Sequence, residues 1–331
     1  MTTGIETQEV PAELVQFIKT GSRFIIIGHK EPDGDCVGSQ LALRSALLRL
    51  GKEAIVCSDG PFKRTELKNY AGEFTDVPAK KKSDVKAIII DCSNIDRIGS
   101  IHKLIEKYPY AIIDHHGTAN HPPSTPQAPV YGDANAPACT LLIEKLITAL
   151  DLELTEEEAS LLLFGLCTDT GFFRHLTEKN AAVFETTAKL VRHGASPKKT
   201  FQNITGGKSL SSRILTGIVL SRTESHFDGR LLICHETLEE FNTFGLGNRD
   251  SEIINQLLQS IEGVEATVNI RQECAENCTV SLRSIDKIDV SQIAASFGGG
   301  GHKNASGLTM QGNISSVKQI MLESFSKVFN S

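Results

Sequence analysis

Acidic and imidazole side chains recur in this sequence directly after short apolar runs. The triplet Asp114-His115-His116 follows Ala111-Ile112-Ile113, and Asp91 follows the run from Ala87 to Ile90. Carboxylates mixed with imidazoles suit manganese, iron or magnesium better than a cysteine-rich zinc site does. The pattern therefore predicts a site for more than one metal ion at four strand ends. The candidate residues are His29, Asp33, Asp35, Asp91, Asp114, His115, His116 and Asp169.

The elements before these residues must bring them together. In a parallel sheet, ligands bind outside the carboxyl ends of the strands, so residues that follow different strands converge on one edge. Two metals about 4 Å apart need a bridging ligand and several terminal ones, and this set can supply both. Taken singly, Asp35 or Asp91 could cap a following helix, and His29 could be an ordinary loop imidazole. Their common position favours the joint metal site.

The first half of the chain alternates short β-branched runs with longer helical periodicities. This alternation is typical of a parallel sheet covered by helices on both faces. The capping box Thr155-x-x-Glu158 marks one helix start. The predicted strands are 24–28, 54–57, 87–90 and 111–113, and the predicted helices are 39–50, 139–150, 156–165 and 181–193.

The second half has a different pattern. Residues 196–212 lack sustained periodicity and are predicted to link a first domain, 1–195, to a second, 213–331. The predicted fold class is α/β, with a doubly wound, mainly parallel sheet followed by a smaller mixed α/β domain. The second domain should contain a hairpin of runs 217–224 and 230–235 around the turn 226–229, strands 266–271 and 279–283, and an amphipathic helix 315–329.

Composition limits the classes of function. The chain has 331 residues, 40% hydrophobic and 22% charged, which is enough for two cores. A net charge of -6 argues against a protein that coats nucleic acid, because such proteins rely on a basic surface. No apolar stretch approaches 18 residues and no signal peptide is evident, so we expect a soluble, cytoplasmic protein without a membrane partner. The eight cysteines are predicted to be reduced thiols.

These motifs resemble the DHH phosphoesterase superfamily, in the branch that carries a DHH-associated C-terminal domain. The segment from His29 to Asp35, with Gly38-Ser39 behind it, matches the first motif, and Asp91 matches the second. Asp114-His115-His116 matches the third and Thr168 to Gly171 the fourth. One departure is Cys36, where the family often has alanine. The resemblance spans nearly the whole chain.

The resemblance implies a two-metal hydrolase whose active site lies in the cleft between the two domains. It makes His29, Asp33 and Asp91 ligands of one metal, and Asp35, Asp91, His115 and Asp169 ligands of the other, so Asp91 is the bridge. His116 would contact the scissile phosphate, and Asp114 would orient the paired histidines. Two divalent cations are expected, with Mn²⁺ preferred over Mg²⁺, Co²⁺ or Fe²⁺.

The glycine run from Gly298 to Gly301 exposes backbone N–H groups that can hold an anion, although a flexible turn is the other interpretation. Arginine binds phosphate bidentately, so two arginines are candidate clamps. The resemblance implies that this glycine loop contacts phosphate. The expected substrate contacts are then Arg283, Arg174, Gly299, Gly300, Gly301 and His302.

Within the family, size and motif layout are similar to bifunctional oligoribonucleases of the nanoRNase A type. These release mononucleotides from short RNA and dephosphorylate adenosine 3',5'-bisphosphate, and the family suggests a homodimer. The alternatives are a phosphodiesterase for linear dinucleotides or cyclic-di-AMP, an exopolyphosphatase-like hydrolase, and a nucleotide-binding sensor without activity. A sensor would not need two complete metal sites.

Overall fold

The computed structural model describes residues 8–78, 84–116, 121–245, 251–285 and 287–329. The chain divides into two compact units, Met1–Gly207 and Lys208–Ser331. The division falls inside the segment 196–212 that the sequence predicts to be a linker.

The first unit contains a five-stranded sheet in which every neighbouring pair is parallel. The four predicted strands are confirmed, and a fifth, too short to stand out in the sequence, adds to one edge. Their order is β2-β1-β3-β4-β5. The strands are β1 Arg23–Gly28, β2 Glu53–Cys57, β3 Val85–Ile90, β4 Tyr110–Asp114 and β5 Val130–Gly132.

Helices cover the sheet, and apolar residues alternate between two cores as expected for strands buried on both faces. Ile26 and Ile88 belong to one core, whereas Ile27 and Ile89 belong to the other. The helices are α1 Ala12–Thr20, α2 Gly34–Arg49, α3 His102–Ile105, α4 Cys139–Ala149, α5 Glu156–Asp169, α6 Ala181–Arg192 and α7 Pro197–Thr205.

Two glycines let α2 and α5 pack closely. A Cβ on Gly38 would lie 2.5 Å from the Leu161 carbonyl oxygen, and one on Gly165 would lie 3.0 Å from the Asp35 Cα. A side chain at either position would push the helices apart. The contact therefore sets the spacing between Asp35 and Asp169, which lies at the end of α5.

The expectation that Asp169 follows a strand is wrong. The predicted capping box of Thr155 and Glu158 is present, and the helix that it begins continues through Asp169. The predicted helix ends at residue 165. The residues from Leu161 to Cys167 are all buried, so no polar stripe marks its continuation to Asp169.

The second unit contains a six-stranded mixed sheet, of order β10-β11-β9-β8-β7-β6. Only β7 and β8 pair in parallel. The strands are β6 Glu224–His226, β7 Leu231–Glu236, β8 Ala266–Cys274, β9 Asn277–Ser284, β10 Gly300–His302 and β11 Ala305–Gln311. The helices are α8 Leu210–Ser221, α9 Leu238–Glu240, α10 Ser251–Gln259, α11 Val290–Ala295 and α12 Ile314–Phe329.

Residues 217–224, predicted as a strand, instead lie mostly in α8, so that prediction is wrong. Ser209 caps the helix by accepting a hydrogen bond from the Ser212 backbone, and Leu215 and Val219, four residues apart, pack into a buried cluster. The predicted turn does join two antiparallel strands, β6 and β7, and Phe227 and Asp228 both adopt positive φ.

Most of the segment predicted as a linker is also helical. Ser196 accepts a hydrogen bond from the Lys199 backbone and Pro197 occupies the first turn, which together start α7.

All eight cysteines are free thiols, as predicted, and Cys274 is the exposed one. Across the described ranges, none of the helices combines the length and apolar character needed to cross a membrane.

Candidate metal centre

The predicted ligands meet at the carboxyl edge of the parallel sheet. His29 follows β1, Asp91 follows β3, and His115 follows β4. Asp33 caps α2, Asp35 lies in its first turn, and α5 contributes its last residue, Asp169. Strand ends and two helix ends therefore converge on one place.

Asp91 lies at the centre of the cluster. Its Oδ2 is 3.6 Å from Nε2 of His29, and its Oδ1 is 3.3 Å from Nε2 of His115 and 3.8 Å from Nδ1 of His116. The residue has φ 58°, a left-handed conformation that is costly outside glycine. Among the described residues, none donates a hydrogen bond to its buried Oδ1. An orphaned carboxylate oxygen between imidazole nitrogens is the arrangement expected of a metal ligand.

His29 presents Nε2 to two carboxylates. Its Nδ1 lies 2.9 Å from the Lys30 carbonyl oxygen and donates to it, and its Nε2 faces Asp33 and Asp91. Asp33 Oδ1 also accepts from the Cys36 backbone N–H at 3.1 Å. These contacts orient one half of the cluster.

His115 is held in the same way on the other side. Its Nδ1 lies 3.1 Å from the Ala136 carbonyl oxygen, and its Nε2 lies 3.7 Å from Asp35 Oδ2 and 3.3 Å from Asp169 Oδ2. Asp35 accepts from the backbone N–H groups of Cys139 and Thr140 at the start of α4. Backbone groups thus fix an imidazole and a carboxylate before any ion binds.

The charges of the cluster shift the pKa values of its members. Burial opposes protonation of His29 and His115, but attraction to the neighbouring carboxylates outweighs it and raises the pKa of each to about 10. Burial, and then repulsion from Asp91, raises the pKa of Asp35 well above its ordinary value. Burial likewise raises the pKa of Asp169 to about 6. Crowded carboxylates of this kind are stabilised by a divalent cation.

Asp114 lies behind the ligands, completely buried. Its Oδ1 is 2.6 Å from Nδ1 of His116, and its Oδ2 is 2.9 Å from Nε2 of His121. Burial opposes ionisation, but the hydrogen bond from His116 outweighs it and lowers the pKa of Asp114 below its ordinary value. The expectation that Asp114 orients both paired histidines needs correction, because it contacts His116, whereas His115 is held by the Ala136 carbonyl.

The donor set fits divalent cations. Ligand atoms of Asp35, His115 and Asp169 lie within 4.8 Å of one another, and Asp91, His115 and His116 form a second such group. A third group joins His29 and Asp91 to the buried thiol of Cys36. Imidazole nitrogens, carboxylate oxygens and the orphaned Oδ1 of Asp91 together suit the two-metal site that the sequence predicts.

Sequence reasoning missed His121 and Arg64, whose guanidinium lies 3.8 Å from Asp33 Oδ2. Arg64 is in a loop before a short 3-10 turn, and no pattern in the sequence marks it. His121 lies beyond the DHH triplet and reaches the site only through the fold.

Of the predicted substrate residues in the first unit, Arg174 lies in the exposed loop after α5. Its Nε donates to the Gly171 carbonyl oxygen at 2.8 Å. Gly171, Phe172 and Phe173 adopt positive φ in succession. The loop is thus a tight left-handed turn directly after Asp169.

In the second unit, the sheet register aligns His302 with Ala305 and Ala305 with Arg283. The Arg283 guanidinium lies 3.3 Å from the half-exposed Glu252 carboxylate. A Cβ on Gly299 would lie 2.4 Å from the Gly307 carbonyl oxygen, whereas one on Gly300 would meet nothing within 4 Å. The His302 side chain lies outside the described residues. The structure therefore joins the glycine run and Arg283 in one sheet.

A parallel sheet with carboxylates and imidazoles at its carboxyl edge, followed by a mixed-sheet unit, defines a hydrolase that acts on phosphoester bonds. The model of the DHH family N-terminal domain matches residues 23–166, and that of the DHHA1 domain matches residues 235–331. The chain belongs to the DHH family.

One curated relative and two solved structures are similar to most of this chain. The chain is 30% identical over 313 residues to the bifunctional oligoribonuclease and PAP phosphatase NrnA of Thermus thermophilus, covering 93% of this chain and 89% of that protein. The crystal structure of an exopolyphosphatase-related protein from Bacteroides fragilis superposes with a TM-score of 0.85 at 23% identity, covering 96% and 95% of the two chains. RecJ of Thermus thermophilus, solved in complex with Mn²⁺, superposes with a TM-score of 0.55 at 15% identity, over 97% of this chain and 54% of RecJ. Both structures share the fold of this chain.

Proposed function

We propose that the protein is a two-metal phosphoesterase that hydrolyses short oligoribonucleotides to mononucleotides and also dephosphorylates adenosine 3',5'-bisphosphate. The observation that supports metal binding is Asp91. Its two oxygens face separate imidazoles, and its buried Oδ1 has no hydrogen-bond donor in the part of the chain that the structure describes. The similarity to NrnA of Thermus thermophilus supports the substrate part.

His29, Asp33 and Asp91 would hold one cation, and Asp35, Asp91, His115 and Asp169 the other. Hard carboxylates combined with imidazoles favour Mn²⁺, with Mg²⁺, Co²⁺ or Fe²⁺ as substitutes. When bound, such a pair of cations supplies an activated water and neutralises charge that develops on a phosphoryl group.

The protein's own groups orient the phosphate. Asp114 accepts a hydrogen bond from Nδ1 of His116 and so orients the ring. In its protonated form the ring would donate from Nε2 to a phosphoryl oxygen. Asp35 and His115 are fixed by backbone groups and need little rearrangement when the substrate binds. No serine or cysteine nucleophile is needed.

Substrate selection is assigned to Arg174 and to the second unit. Arg283 would clamp a phosphate bidentately, and backbone N–H groups of Gly299, Gly300 and Gly301, with His302, would hold a terminal phosphate. The acidic sequence fits this assignment, because a substrate of two to five nucleotides needs a local positive pocket rather than a basic surface.

A product assay tests the proposal. The protein with Mn²⁺ is offered RNA from 2-mer to 24-mer, adenosine 3',5'-bisphosphate, cyclic-di-AMP, a linear dinucleotide and polyphosphate. We expect mononucleotides from the shortest RNAs and adenosine monophosphate from the bisphosphate. Preference for polyphosphate or cyclic-di-AMP would replace the proposed substrate, and tight nucleotide binding without turnover would favour the sensor alternative.

The homodimer and the cytoplasmic location expected from the sequence remain predictions. Light scattering on the purified protein measures the first, and fractionation of cells that express it measures the second.

A further inference from the structure

We infer that His121 is a positioning residue that holds the Asp114 carboxylate, and through it the His116 ring, in the orientation needed to contact phosphate. The inference deepens the proposed function, because it depends on the role proposed for His116. It concerns a histidine outside the DHH triplet to which the sequence assigns no role.

The contacts form a chain of three side chains. His116 Nδ1 donates to Asp114 Oδ1 at 2.6 Å, and His121 Nε2 donates to Asp114 Oδ2 at 2.9 Å. Asp114 is completely buried, whereas both imidazoles are partly exposed. Each carboxylate oxygen thus has its own imidazole donor, and the two donors prevent rotation of the carboxylate.

The fold provides a seat for His121. Gly132 on β5 is paired with Asp114 on β4 in the parallel register. A Cβ on Gly132 would lie 2.8 Å from Cε1 and 2.9 Å from Nδ1 of His121. Since real Cβ atoms do not approach this closely, the ring of His121 occupies space that is free only because residue 132 is glycine.

Removing His121 would leave a buried oxygen of Asp114 unpaired. An unsatisfied buried acceptor is costly, so the carboxylate would rotate towards another donor or take up a proton. Either change alters the hydrogen bond to His116 Nδ1. Outer partners of this kind change activity by about 10–100-fold when they are mutated.

The first test compares His121→Leu with His121→Gln. Leucine removes the donor, and we expect kcat on a ribodinucleotide to fall by about 10–100-fold with KM nearly unchanged. Glutamine restores an N–H near the position of Nε2, so it should recover most of the loss. The matched control is His226→Leu, which removes an imidazole paired with Glu224 at 3.5 Å in the second unit and should leave kcat unchanged.

The second test changes Gly132, against which the His121 ring packs. Gly132→Ala keeps His121 but displaces its ring, so it should lower kcat in the same direction as His121→Leu. If both changes act through the same contact, the double variant should be no slower than His121→Leu alone. Additive losses would overturn the inference, because they would show that alanine acts by another route.

A measurement without turnover separates this inference from the proposed function. In the Mg²⁺-loaded protein with ¹⁵N-labelled histidine, the short His116–Asp114 hydrogen bond should give a downfield Nδ1–H proton, assigned by its loss in His116→Ala. We expect this resonance to shift or broaden in His121→Leu and to return in His121→Gln. An unchanged resonance and an unchanged kcat in His121→Leu would overturn the inference. A wild-type protein that shows the resonance but cleaves none of the assay substrates would contradict the proposed function alone.

Discussion

The two units hold their candidate functional groups very differently. In the first unit, buried ligands are fixed by backbone partners, as Asp35 is by two N–H groups of α4 and His115 by the Ala136 carbonyl. In the second unit, Arg283 pairs with Glu252, which is itself 58% exposed. A preorganised cluster is suited to the chemical step, and an exchangeable arginine is suited to substrate capture. Changes in the first unit should therefore lower kcat, and changes in the second should raise KM.

The largest effect is expected at Asp91. Asp91→Asn keeps the shape but removes the charge that two metals would share, and we expect kcat to fall by about 10³-fold, the upper end for loss of one preorganised electrostatic group. Circular dichroism should show an intact fold. Asp151→Asn, at an exposed carboxylate 3.6 Å from the Lys19 ammonium, is the control and should retain full activity. Substantial residual turnover in Asp91→Asn would show that Asp91 is not the bridge.

Metal affinity of the first unit should depend steeply on pH. Without metal, the pKa values of His29 and His115 are raised to about 10, so both rings carry protons at pH 7. Ligation requires neutral imidazole, and binding must release these protons. If binding of the two metal ions releases about two protons, the overall metal affinity should rise by up to about 100-fold per pH unit between pH 7 and 9. Calorimetry of Mn²⁺ binding in buffers of different ionisation enthalpy measures the release, and a buffer-independent heat would contradict the prediction.

The two units also differ in how much of their structure the sequence predicts. The ligands that follow β1, β3 and β4 were predictable because isoleucine-rich runs mark buried strands, and parallel strands share a carboxyl edge. The helical position of Asp169 was not, because the predicted helix ends at residue 165 and the buried run from Leu161 to Cys167 has no polar stripe that marks its continuation. The role of His121 was not predictable either. Its ring packs against Gly132 only because β5 pairs with β4, and a strand of three residues leaves no periodic signal in the sequence.

In the second unit, the resemblance indicates the glycine run and Arg283, whereas the predicted strand 217–224 is wrong because most of it lies in α8. Its capping serine, Ser209, and the spacing of Leu215 and Val219 were both readable in the sequence. Ile218 and Val219 are β-branched, which locally favours a strand. Local propensity is a weak guide where tertiary packing decides.

Arg283→Ala should separate capture from chemistry. Loss of a bidentate phosphate contact is worth about 1.5–3 kcal/mol, or about 10–100-fold in kcat/KM on oligonucleotides. Mn²⁺ affinity should be unchanged. Glu252→Gln is the matched control, because it releases the guanidinium without removing it and should leave kcat/KM the same or higher. An unchanged kcat/KM in Arg283→Ala would exclude the arginine as a clamp and would remove the functional contrast between the units.

The smallest effect distinguishes two neighbouring glycines. A Cβ on Gly299 would collide with the Gly307 carbonyl oxygen at 2.4 Å, so Gly299→Ala should destabilise the second unit by about 1–3 kcal/mol, as overpacking does. Gly300→Ala meets nothing within 4 Å and should leave thermal stability unchanged. If backbone N–H groups of this run hold phosphate, the Gly300 methyl group should still raise KM several-fold by blocking close approach. Melting temperature and KM measured on both variants decide the point, since an unchanged KM in Gly300→Ala would leave the glycines with a purely structural role in β10.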